Sequence, residues 1–183
     1  MKNFLLLVIL VSVFSTSCTK RLSLADELAC KTIPSLQGTI EKKDFKNKFS
    51  IDIPKTWKHK GYYDDYQSSI FAADTIRELT KSFILDIAYK YSAINIDKEF
   101  SKEINKSNSL NVLKFNMEIF KEKPSYWQVS KGIKNGYVLH EFQHFIQDKT
   151  FGYIEVKAEF YGEEMVDERL CEALEIINTI ELN

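Results

Sequence analysis

Apolar and polar residues alternate with a period of two over much of this chain, which predicts strands. Phe49-Ser50-Ile51-Asp52-Ile53 alternates until Pro54 stops it, with Trp57 just beyond. Residues 68–74 predict a second strand, and Phe83, Leu85, Ile87, Tyr89 and Tyr91 share one face of a third. The stretch 75–81 between them is short enough for a hairpin connection. Leu113, Phe115, Met117 and Ile119 mark another strand, broken at Lys123-Pro124 and followed by extended structure over 126–129. After the turn signal Asn135-Gly136, residues 137–147 alternate again. Ile154, Val156, Ala158 and Phe160 then alternate with Glu155, Lys157 and Glu159 up to Gly162.

Elsewhere the period lengthens. Asp97 is an N-cap residue, and Phe100 and Ile104 lie four apart, so a short surface helix is predicted there. Val166, Leu170, Ala173, Leu174 and Ile177 fall at helical spacing with acids opposite. An isolated helix of that length is marginal, so its apolar stripe must lie on the sheet. Ser23 to Ala29 reads as a short helix, punctuated afterwards by Pro34 and Gly38. Five or six strands in hairpins, with helices at intervals, predict an α+β fold: an antiparallel sheet flanked by helices, the C-terminal helix packed on it.

The start of the chain has a different character. Met1-Lys2-Asn3 is followed by an apolar run, Phe4 to Phe14, and then by Ser15-Thr16-Ser17-Cys18. A basic start, a short apolar core and small residues make a secretory signal too short to span a bilayer. With Cys18 directly after the small residues, it resembles the bacterial lipoprotein signal. That resemblance implies cleavage before Cys18, acylation of Cys18, and a membrane anchor that needs no spanning helix. Thr19 follows, with no Asp to suggest inner-membrane retention, and Lys20-Arg21 lacks an acidic export run, so the expected place is the outer membrane, facing the periplasm. The expected organisation is a signal peptide over 1–17, a tether with a short helix over 18–44, and one folded domain over 45–183.

Removing the 17 residues before Cys18 from 183 leaves 166, one domain in size. The removed stretch holds one Lys and no acid, so the net charge moves from −1 to −2, and nucleic acid is not an expected partner. Nine Tyr, 13 Phe and two Trp can fill a core, unlike a disordered chain. With Cys18 acylated, Cys30 and Cys171 remain. In an oxidising compartment they form a disulfide from the N-terminal segment to the C-terminal helix, or else stay as small buried hydrophobes.

The opening Phe49-Ser50-Ile51-Asp52-Ile53-Pro54-Lys55-Thr56-Trp57 is similar to the first strand of the PsbP-like family. So is the ending, a long hairpin into Tyr153–Tyr161 and a helix closing with Ile176-Ile177-Asn178-Thr179-Ile180. The resemblance covers residues 45–183 and implies an α/β/α sandwich. It further implies a non-enzymatic binding or assembly role, with an envelope protein as partner and no cofactor.

One motif competes. His140-Glu141-Phe142-Gln143-His144 spells H-E-x-x-H. On a helix, His140 and His144 would share a face and grip Zn²⁺, with Glu141 activating its water and Glu155, Glu163 or Glu164 as third ligand. On a strand, the two His stand about 13 Å apart, beyond the reach of one ion. The Asn135-Gly136 turn and the alternating partner over 153–161 favour the strand. Two weaker candidates remain: the carboxylates Asp64, Asp65 and Asp74, and the aromatics Trp57, Tyr62, Tyr63 and Tyr66, either a binding surface or the edge of a core.

Overall fold

The computed structural model describes residues 23–30, 38–148 and 152–183. The signal sequence and Cys18 lie outside the described residues. Among the described residues, ten strands make two antiparallel sheets. The larger has seven strands in the order β3-β4-β5-β9-β8-β7-β6: β3 (Lys58–Tyr63), β4 (Gln67–Ala73), β5 (Ile84–Lys90), β6 (Asn111–Phe120), β7 (Lys123–Lys134), β8 (Tyr137–Gln147) and β9 (Tyr153–Tyr161). The smaller places β2 (Phe49–Pro54) between β1 (Thr39–Lys43) and β10 (Glu181–Leu182). Among the described residues three α-helices accompany the sheets: α1 (Leu24–Glu27), α2 (Lys98–Ser107) and α3 (Val166–Ile177).

Local chemistry accounts for the turns. Asn135 and Gly136 take positive φ (52° and 82°) and fold β7 directly onto β8, the two-residue turn whose twist matches its strands. Lys121 and Glu122 do the same between β6 and β7 (44° and 66°), so the chain reverses before Pro124. Pro124 then sits inside β7, where pairing to β8 begins only at Ser125, and its missing N–H breaks no bond to that strand. Asp97 caps α2 by accepting from the N–H of Glu99 (2.9 Å) and Phe100 (3.0 Å).

The two faces of the seven-stranded sheet are covered differently. On the inner face Ile87, Ile154, Val156, Ala158, Phe160 and Phe142 are fully buried beneath α3 and the small sheet, whose Phe49, Ile51 and Ile53 close the core. On the outer face, α2 covers β7 and β8 by packing Phe100 and Ile104 against Tyr126 and Phe145. Helix, sheet and helix-plus-sheet stack as an α/β/α sandwich.

Arg169 fixes α3 to this stack. It is buried, and its guanidinium donates to the carbonyls of Ser82 (2.9 Å), Tyr161 (3.0 Å) and Glu164 (2.7 Å), joining the entry to β5, the end of β9 and the turn after it to one helix. Burial lowers its pKa more than the nearby Glu164 raises it. The ordered part of the chain also reaches further back than Asp44. β1 pairs with β2 over Thr39–Lys43, and Leu24 of α1 joins the main core. Cys30, just after α1, is disulfide-bonded to Cys171 within α3, 141 residues away.

A crosslink closing a loop of that length restricts the unfolded chain by up to about 5 kcal/mol in the chain-entropy account. Urea unfolding with and without reductant measures it. The expected result is a clear fall in the midpoint on reduction and in Cys30→Ser, whereas equal midpoints would contradict it.

Candidate functional site

Strand alternation decides what each predicted residue can do. Residues 137–147 are strand β8, paired with β7 and β9 along their length. His140 lies opposite Phe160 and His144 opposite Val156, both on the inner face. Glu141 and Gln143 oppose Glu159 and Lys157 on the outer face. The two His are separated by four residues of strand, about 13 Å, so one ion cannot bind both. Glu141 points away from either of them, and Glu155 shares its outer face. The strand therefore takes the H-E-x-x-H arrangement apart, and among the described residues no group of three His, Cys, Asp or Glu side chains is placed to hold a metal.

What the histidines do instead is structural. His144 is fully buried, its Nε2 3.3 Å from Glu118 Oε1 and its ring edge-on to Phe120. His140 Nε2 lies 3.5 Å from Glu163, and Glu163 is held by Lys131 at 2.7 Å. Burial lowers the His140 pKa more than Glu163 raises it. Glu164 contributes its backbone carbonyl to Arg169.

The other candidates separate as well. Asp64 accepts from the N–H of Tyr66 and Gln67, and Asp74 from the N–H of Ile76, each closing its own turn. Trp57 is only 5% exposed and packs edge-on against Phe83 in the core. Tyr62, Tyr63 and Tyr66 stay exposed, with Tyr62 and Tyr63 on opposite faces of β3.

The outer face of β5, β8 and β9, left bare by α2, is where polar groups converge. Cross-strand pairing sets Asp86 beside Lys157 and Lys157 beside Gln143, with Glu141 directly opposite Glu159. A concavity of about 380 Å³ opens here between the sheet and the end of α2, walled by Asn108, Glu141, Gln143, Tyr153, Glu155 and Lys157. It continues into a small recess bounded by Gln67, Asp86 and Lys90. Lys157 binds Glu155 at 3.0 Å, while Lys134 binds Glu159 at 2.6 Å and Tyr161 donates to Glu159 at 2.9 Å. Below them Gln128 donates to Gln143. Tyr126, on the same face, donates to Asn105 (2.5 Å), and burial pushes its phenol up to about 12 despite that bond.

Two further carboxylates, Asp86 and Glu141, feel Lys157 through charge. Burial pushes the Glu141 carboxyl above its ordinary value, against the pull of Lys157, and Glu159 adds to the rise. Asp86 reaches solvent at its tip, yet the surrounding sheet raises it in the same way, again against Lys157. For Lys157, burial works downward, but Glu155, Glu141 and Asp86 together outweigh it and raise the ammonium pKa. Like charges opposite one another on a sheet destabilise it. Carboxylates held at a raised pKa on a concave face mark a candidate binding surface.

No protein-family model matches the chain, and no curated protein matches it in sequence. Solved structures do match its shape. CyanoP, the cyanobacterial PsbP of Synechocystis, superposes with a TM-score of 0.56 at 12% identity, covering 80% of this chain and 93% of that one. The Ran-binding protein Mog1p of Saccharomyces cerevisiae gives 0.55 at 8% identity, covering 79% and 95%. The fold is the PsbP/Mog-type sandwich. LpqN of Mycobacterium tuberculosis, a protein involved in cell envelope biogenesis, gives 0.50 at 11% identity over 88% and 98% of the two chains. At these identities the likeness establishes the PsbP/Mog-type fold and nothing finer.

The raised carboxyl gives a signed prediction. The folded chain holds the Glu141 proton more tightly than the unfolded chain does, so ionising Glu141 lowers stability as pH rises through the folded pKa. Glu141→Gln removes that penalty. Unfolding in urea at pH 7.5 should find the variant more stable than the parent, with the gain vanishing as pH falls below the ordinary Glu range. A variant less stable at pH 7.5 would contradict this reading.

Proposed function

We propose that this chain is a lipid-anchored, non-enzymatic binding domain of the bacterial envelope, held at Cys18 in the outer membrane and facing the periplasm. It engages an envelope protein through the concave face of β5, β8 and β9. The observation that carries this reading is the open, concave sheet face on which Asp86 and Glu141 gather about Lys157.

Small-molecule sites are mostly apolar, with a few polar groups. Apart from Ile104 and Phe145 this concavity is lined by polar side chains, which suits the polar surface of a protein better than a buried ligand. The PsbP/Mog-type relatives lend support: one binds Ran, and another takes part in envelope biogenesis. The anchor rests on the signal pattern, and among the described residues no helix is long and apolar enough to cross a membrane. The PsbP-like domain over 45–183, with α1 and β1 before it, belongs to the same proposal.

Two experiments test it. Cys18→Ala should move the protein from the outer-membrane fraction to the soluble fraction, whereas native protein in the inner membrane would contradict the placement. A photo-crosslinking residue at Gln143 should yield one discrete envelope-protein adduct in cells, lost on adding Glu141→Lys. The same residue at Glu168, exposed on α3, should yield none. Equal adducts from both positions would overturn the concave face as the binding surface. So would zinc bound near one per chain and lost in His144→Ala, which would return the chain to metal chemistry.

A further inference from the structure

A second surface lies at the far edge of the large sheet, away from the concavity. The chain turns from β1 to β2 at residues 44–48, and this turn is closed tightly. Asp44, itself buried, accepts from the N–H of Lys46 (2.9 Å), Lys48 (2.5 Å) and Phe49 (2.8 Å), and Asn47 takes left-handed backbone at φ 52°. The closed turn presents Phe45 to solvent, 64% exposed. Its ring is nevertheless seated. It lies 5.3 Å from the Tyr63 ring and directly over Gly61, where an added Cβ would come within 2.6 Å of it. Lys46 Nζ stands 4.7 Å from the Tyr63 centroid. Beneath them runs the edge strand β3, exposed everywhere except Gly61 and carrying Lys58, His59 and Lys60 ahead of the tyrosines.

The sequence around the tip is basic: from Lys42 to Tyr66 there are seven lysines and four aspartates, while the whole chain has an acidic excess. Asp44 and Asp64 are turned into their own backbone amides, which leaves Asp65 as the exposed acid at the β3–β4 turn. Lysines on an edge strand also discourage edge-to-edge pairing, but that role needs no exposed aromatic ring beside them. An aromatic ring held at a rigid tip beside an ammonium group is a pairing that suits a membrane–water interface. There the ring lies at headgroup depth and the lysines meet phosphate.

We infer that the Phe45–Tyr63 tip, with Lys46 beside it, docks on an anionic phospholipid surface. Each lysine close to such a surface contributes about fivefold in affinity, screened by salt. A weak patch suffices on a tethered protein, because tethering raises the local concentration. The docking itself is independent of how the chain is tethered and of what the concave face binds.

Phe45→Trp in the full-length protein, reconstituted into vesicles, provides the test. Native Trp57 and Trp127 are buried and supply a constant background. In vesicles of phosphatidylglycerol with phosphatidylcholine, the introduced indole should shift to the blue. Brominated acyl chains should quench it several-fold more than in phosphatidylcholine alone. Adding Lys46→Glu should remove the difference, and Tyr66→Trp serves as a second reporter at a position 78% exposed. Equal quenching in both vesicle types, or full quenching in the presence of Lys46→Glu, would overturn the inference. The Gln143 crosslink reads the other surface, so either result leaves the other standing.

Discussion

Strand β9 sits at the centre of the large sheet, and its register with β5 and β8 decides which side chains meet the core and which meet solvent. Ile154, Val156, Ala158 and Phe160 are all buried against α3 and the small sheet, while the residues between them are half-buried on the other side. A slip of one residue would send Glu155, Lys157 and Glu159 into the core and strip α3 of its contact. The same register fixes Lys157 beside Asp86 on one neighbour and beside Gln143 on the other. Core and candidate site are therefore two faces of one constraint.

That constraint also decides the chemistry of the H-E-x-x-H spelling. The motif needs a period near four to bring its histidines together, and β8 supplies a period of two. The imidazoles go to the packed side, one of them fully buried beside Glu118, and the carboxylate goes to the open side. Arg169 depends on the same packing, since its three carbonyl partners converge only once α3 lies across the end of β9.

Much of the fold was legible in the chain, and the exceptions have a physical pattern. β2, β5, β8 and β9 face a core on at least one side and so show alternation. β1 and β3 are edge strands: Lys58-His59-Lys60-Gly61-Tyr62-Tyr63 buries nothing fully, so no period marks it. β7 runs on past Val129 through Ser130, Lys131 and Gly132, whose partners lie across the sheet rather than along the sequence. The aromatics near the first turn look like one cluster in sequence, yet Trp57 turns into the core while the tyrosines stay outside. Of the concave face, Glu141 and Glu155 were visible only as candidate zinc groups. Gln143 and Lys157 meet across the β8–β9 hairpin, but Asp86 joins them only through the pairing of β5 with β9, far apart in sequence, and their one local sign was the polar half of the alternation.

Residue-resolved nuclear Overhauser contacts across β8 would test the account at its root. It requires cross-strand contacts linking Glu141 to Glu159 and His144 to Val156, with His144 also meeting Trp127 across β7. Contacts from His140 to His144 at helical spacing, without those cross-strand contacts, would contradict it.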